Sequence, residues 1–288
     1  MNDIITERMV FLTLVASPGD KTGARLLIDS IRSFGGKMSG CPVWVFEADP
    51  RKAPCADLSG PGVEVIPLDT PAPIRQVLFG HKVYACARAE ELAMKGYQTL
   101  TWIDPNCLVV QEPRLFDLDE ACDAAVRPVH IRNVGLPADG PLDDFWKGIY
   151  AALGVDDISA TVTSFVDGQQ LRAYFNSHAF AINPARGLMC RWLEVFEGLT
   201  ADWDFQTLAC QDELHQIFLF QAILSTLLAS SIAPERLRIL PPTYNYPYHL
   251  HGRVPGNALL RIRGEGWSLI SPRPRQGERM QVRGLLPG

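Results

Sequence analysis

The sequence has no excess of positive charge: 27 Lys and Arg stand against 32 Asp and Glu, a formal net charge of -5. Nucleic-acid binding depends on Lys and Arg neutralising phosphates, so no nucleic-acid partner is expected. Close cysteine pairs are also missing. Cys41, Cys55, Cys86, Cys107, Cys122, Cys190 and Cys210 are scattered and include no CxxC, which zinc and redox sites need, so reduced and mostly buried thiols are expected. No apolar run approaches the ~18 residues of a membrane span. Met9 to Ala16, the first apolar run, follows acidic and polar residues rather than a cationic leader. These two absences make the cytoplasm the expected location. No GxGxxG follows that run, and GxxxxGK(S/T), GxSxG and HExxH are all missing. Dinucleotide oxidoreductases, P-loop kinases, elbow-type hydrolases and zincins are thereby disfavoured, which leaves mainly transferases among the α/β enzymes.

What is present is a folding composition, 47% apolar and 20% charged over 288 residues, enough to bury a substantial core. Met9 to Ala16 predicts a buried parallel strand that empties into Ser17-Pro18-Gly19-Asp20. Leu27, Ile31 and Phe34 recur at helical spacing before Gly35-Gly36. Residues 42–46 and 63–66 read as short strands, 79–95 as a half-buried helix, and 99–103 as a further buried strand. Alternating strands and helices predict a mostly parallel sheet. From residue 124 the pattern loosens into helices at 142–153, 186–199 and 212–229, with strands at 174–182 and 238–240. The fold class is therefore α/β, a mostly parallel central sheet flanked by helices with a more irregular α+β C-terminal half. With no repeat, heptad or linker, one domain over 1–288 is expected: a nucleotide-binding half at 9–125, an acceptor- and sugar-binding half at 126–262, and a tail at 263–288. Arg273, Arg275, Arg279 and Arg283 in that Pro-rich tail read as a solvated terminus. Nothing in the sequence bears on oligomeric state.

The chemistry concentrates at Asp104-Pro105-Asn106, delivered by the 99–103 strand to its C-terminal end, where open α/β sheets bind ligands. A carboxylate with a neighbouring oxygen ligand can hold Mg²⁺ or Mn²⁺ against phosphates, although Asp-Pro-Asn is equally good turn chemistry. Lys82 reads as either a phosphate contact or a solvated helix residue. Glu47, just beyond the second strand, reads as either a ribose or base contact or a solvated surface acid. Arg127 and His130 follow a predicted strand, where a guanidinium could clamp a phosphate or carboxylate; surface ion pairing is the alternative.

In these motifs the chain resembles the GT-A nucleotide-diphospho-sugar transferases, especially the retaining family-8-like group, over roughly Val10 to Asn245. Lys82 and Asp104-Pro105-Asn106 resemble that group's basic helix residue and DxD motif. Phe175-Asn176-Ser177-His178 resembles its Phe-Asn-Ala-Gly segment, Gln211-Asp212 its Gln-Asp pair, and Leu240-Pro241-Pro242-Thr243-Tyr244-Asn245 its Leu-Pro and Tyr-Asn segment. The resemblance implies a UDP- or GDP-sugar donor, with the base near Ala16 and Ser17 and the diphosphate near Lys82 and Asp104. It further implies an unidentified acceptor and a divalent cation on Asp104, Asn106 and the late histidine His251. Asp212, Gln211 and Asn176 would position the sugar during a retaining, hexosyl-type transfer. Asn106 replaces the second acid and His178 replaces a glycine, departures that put the metal and the usual donor in question. A non-catalytic binding or scaffold protein with the same fold is the alternative.

Overall fold

The computed structural model describes residues 5–93, 96–254 and 269–271. The four tail arginines lie outside the described residues. α1 (Ile5–Arg8) leads into β1 (Met9–Val15), α2 (Pro18–Phe34), β2 (Val43–Glu47), β3 (Val63–Pro67), α3 (Ala72–Arg75), α4 (Gly80–Ala93), β4 (Thr99–Ile103), β5 (Leu108–Val109) and β6 (Ala124–Pro128). Then come α5 (Asp144–Leu153), β7 (Thr161–Thr163), β8 (Gln170–Arg172), β9 (Phe175–Ile182), α6 (Leu188–Ala201), α7 (Glu213–Ser231), β10 (Leu237–Ile239), β11 (Tyr246–Pro247) and β12 (Leu269–Ser271).

Seven strands form the central sheet in the order β10-β6-β9-β4-β1-β2-β3. β4, β1, β2 and β3 pair parallel, as do β10 and β6, while β9 is antiparallel to both of its neighbours. The predicted mostly parallel α/β sheet is thus present, with strands drawn from both sequence halves. Its strands are continuously apolar because both faces are covered. On β1, Val10 and Leu12 join the core beneath α4, α6 and α7, whereas Met9, Phe11 and Val15 join a second core beneath α2. Trp44 and Phe46 alternate with Val43 and Val45 on β2 in the same way.

α7 departs from the sequence expectation of no span-length apolar segment. Among the described helices it is long and apolar enough to cross a membrane by length and composition. Here its residues 219–228 are buried against β9 and α6, as in a core helix. All seven cysteines are free and six are buried, as expected.

Candidate functional site

The site is built at the carboxyl ends of the central strands, starting from α4. Phe79, immediately before this helix, adopts a left-handed conformation (φ 61°) that costs a bulky residue energy, and its ring stacks on Phe220 at 4.2 Å. Gly80 follows because a Cβ there would overlap the Ile74 carbonyl oxygen. This fixed start aims Lys82, only 4% exposed, across the sheet. Its Nζ donates to Asp104 Oδ1 and to the Ser177 carbonyl, both at 2.7 Å, and lies 5.2 Å from the Trp102 ring centroid. Trp102 Nε1 donates to the same Oδ1 at 2.6 Å, and the Asp104 N–H donates to the His178 carbonyl at 2.8 Å. The carboxylate is therefore held by one buried cation, one indole and its own backbone.

β9 supplies the next group. Asn176 Oδ1 accepts from the His178 N–H at 2.9 Å and from Asn245 Nδ2 at 2.7 Å, and lies 3.2 Å from His178 Nδ1. Asn245 is fully buried in a left-handed conformation (φ 58°), a strain held in place by this bond and by Cys107. Ser177 bonds through both its N–H and its hydroxyl to Gln221 Oε1 on α7. His178 stands over Asp104, with Nε2 3.7 Å from Oδ2, and its side chain is 40% exposed. Burial pulls the His178 pKa below the usual histidine value; Asp104 opposes this, while Lys82, His249 and Arg127 add to it.

α2 brings a third group. Ser17 is its N-cap, accepting from the Asp20 N–H at 3.1 Å, and Pro18 opens the first turn. Asp20 accepts from the Ala16 N–H at 3.1 Å, and burial, with a contribution from Asp104, raises its carboxyl pKa. One turn on, a Cβ at Gly23 would overlap the Pro105 carbonyl oxygen, so glycine lets the helix seat the Asp104 loop. Beside this loop a cleft of about 640 Å³ opens over the ends of β1, β2 and β3, lined by Ala16, Glu47, Asp49, Asp69, Arg75 and His81 among others. Glu47 is anchored there by accepting from the Cys55 N–H at 2.6 Å.

Lys82, Asp104, Asn176 and His178 are thus brought together, Ala16 and Glu47 line the cleft over β1, β2 and β3, and Ser17 caps α2 next to Ala16. Gln211 and Asp212 are not part of this contact group. Asp212 caps α7 by accepting from the His215 N–H at 3.0 Å and pairs with the His215 ring, while Gln211 bonds the Thr207 carbonyl. Both are exposed. Gln221, which together with Ser225 bonds β9 from α7, lies about 14 Å along the helix from Asp212 at 1.5 Å per residue. Sequence reasoning missed Gln221, though a lone amide within the apolar stretch 218–228 is a signal of a buried hydrogen bond. It also missed Asp20, whose place in a turn-like Ser-Pro-Gly-Asp string gave no sign of its burial.

The described donors do not fit a divalent cation. Asp104 Oδ1 is already shared by an ammonium and an indole, and an ammonium 2.7 Å away opposes a second cation at the same carboxylate. Asn106 Oδ1 accepts from Cys107 Sγ, and His251 Nδ1 pairs with the Tyr246 hydroxyl at 2.7 Å. Among the described residues no group of three or more His, Cys, Asp or Glu is arranged to hold a metal.

The fold is an α/β domain whose buried polar contact group stands at the carboxyl ends of a mostly parallel sheet, the place where open sheets of this class bind ligands. Residues 12–230 match the model of the Rhodobacterales glycosyltransferase domain, and the chain belongs to that family. The apo structure of the bifunctional glycosyltransferase WbbM is similar in fold, with a TM-score of 0.55 at 15% identity, over 95% of this chain and 47% of that one. This chain spans about half the length of WbbM. No curated protein matches in sequence.

Proposed function

We propose that this domain transfers a sugar from a UDP- or GDP-sugar to an acceptor, in the GT-A manner and with retention of configuration. Membership of a glycosyltransferase family supports the reaction class. The observation that carries the donor reading is the order of groups along one sheet edge. The cleft over β1, β2 and β3 suits a nucleoside, Lys82 and Asp104 at the end of β4 come next, and Asn176 and His178 on β9 follow. A nucleoside diphosphate sugar presents base, phosphates and sugar in that same order. In this reading Lys82 offers charge to the phosphates, and His178, neutral at pH 7, offers a ring nitrogen. The sugar C1–O bond breaks with its electron pair passing to the departing phosphate. The acceptor oxygen bonds to C1 from the same face, and its proton goes to that phosphate. No step is routed through a metal.

Calorimetry with UDP, GDP and their glucose or mannose conjugates, with and without Mn²⁺, tests the donor assignment. Binding of one nucleoside diphosphate series is expected, and failure of both series to bind defeats it. The pairing of Asp104 with Lys82 favours a second reading, a non-catalytic nucleotide-sugar-binding protein. That reading predicts the same binding isotherm with neither transfer nor donor hydrolysis.

A further inference from the structure

Arg127 sits on β6 as the register partner of Asn176 on β9, and it is 1% exposed. Its guanidinium lies 5.3 Å from the Phe165 ring centroid, and one nitrogen pairs with His130 Nδ1. Nε and Nη2 have no hydrogen-bond partner, and no carboxylate pairs with the group among the described residues. A buried charge with neither counter-charge nor a full set of acceptors is costly. Burial lowers the Arg127 pKa to about 9, and burial together with Arg127, His178 and His249 drives His130 well below its usual value. His130 is therefore neutral and able to accept from the guanidinium, whose remaining N–H groups form the fork that matches a carboxylate or phosphate.

We infer that Arg127 receives an oxyanion, a carboxylate or phosphate, carried by the transferred sugar or by the acceptor. The inference rests on the donor reading above and adds to it the chemical class of the substrate. Position separates this oxyanion from the donor diphosphate. In the sheet order β4-β9-β6, Arg127 stands two strands from the one that ends in Asp104, about 10 Å at ordinary strand spacing, and one strand beyond the Ser177 carbonyl that Lys82 reaches. A diphosphate centred on Asp104 leaves Arg127 to a substituent on the sugar or the acceptor. Phe165 and Tyr246, 6.0 Å apart, belong to a small apolar cap with Val166 and Val254. Access of an oxyanion to Arg127 requires this cap to shift.

Calorimetry on the full chain tests the inference by comparing UDP, UDP-glucose and UDP-glucuronic acid, or the GDP, GDP-mannose and GDP-mannuronic acid series. Free glucuronate and inorganic phosphate are then titrated onto protein saturated with nucleoside diphosphate. A preference of about tenfold for the uronic donor identifies the sugar as the source, as expected for one charge-assisted pair. Binding of glucuronate or phosphate to the saturated protein identifies the acceptor. In either case Arg127→Met loses the effect, keeps its nucleoside diphosphate affinity and melts no lower than wild type. Arg127→Lys retains the charge without the fork and shows a reduced preference, which decides the matter should the Met variant not fold. If a nucleoside diphosphate binds but wild type shows neither effect, or Arg127→Met retains one, the inference is overturned alone. If no nucleoside diphosphate binds, the donor reading falls and this inference falls with it.

Discussion

Lys82 and Asp104 are nearly buried partners, with side chains 5% and 15% exposed, so removing either one strands a charge. Lys82→Met is expected to cost about 3 kcal/mol of stability, because a buried pair broken on one side loses far more than the pair contributes as a unit. Lys82→Met with Asp104→Leu removes both charges, and this double variant is expected to recover most of that loss in chemical denaturation while binding no donor. A double variant as unstable as the single one would show that the pair is structural in a way its electrostatics do not explain. Lys82, Asp104, Asn176 and His178 were legible because each sits at or near the end of a strongly patterned element. Gln221 and Asp20 were not. Gln221 is 44 residues from its partner Ser177, and Asp20 acquires its environment only when α2 docks beside the Asp104 loop. Asp212 carries two readings in the sequence, a helix start or a sugar contact, and the cap is the contact it makes.

At the scale of elements, the contact of α2 with the Asp104-Pro105-Asn106 loop sets where the carboxylate stands. Gly23 lies within α2, where alanine is intrinsically better by about 1 kcal/mol. Its added methyl would nevertheless overlap the Pro105 carbonyl. Gly23→Ala is therefore expected to lower the melting temperature despite the propensity gain and to weaken nucleoside diphosphate binding by about tenfold, as a small displacement at a positioned site does. A rise in melting temperature with affinity intact would mean that the loop yields freely. Long elements such as α2, α7, β1 and β4 were readable because strands covered on both faces are continuously buried and the two helices open on the caps Ser17 and Asp212. The short pieces were not. β5, β7, β8, β11 and β12 are two or three residues each, too short to carry a pattern, and β5, β11 and β12 depend on partners far away in sequence. The reversed direction of β9 also left no trace in its pattern, since a buried strand is apolar whichever way it runs.

At the scale of the whole molecule, three histidines at the cleft and around the Asp104 contact group are held below their ordinary pKa. Burial depresses His81, with Arg75 and Lys52 adding to the effect; burial depresses His178; and burial drives His130 furthest, helped by Arg127. In the unfolded chain these rings bind protons as pH falls through about 6.5, while in the folded protein they stay neutral until lower pH. The unfolded state therefore holds more protons in that window, and stability is full above pH 6.5 and lost as pH falls. His130, the most buried of the three, contributes up to about 1.4 kcal/mol per pH unit there; the more exposed His178 adds less because water screens it. Asp57, Asp119, Asp123 and Asp212 have lowered pKa values, so their stabilisation is lost only below the ordinary aspartate range, outside this window. Asp20, with its raised pKa, works in the opposite sense, but it is a single group titrating nearer its own range. Thermal melts between pH 7 and pH 5 are expected to fall by several degrees, and His130→Gln, which titrates in neither state, should flatten the slope. A profile equally steep in that variant would move the acid sensitivity away from the Arg127 cluster and towards the cleft beside His81.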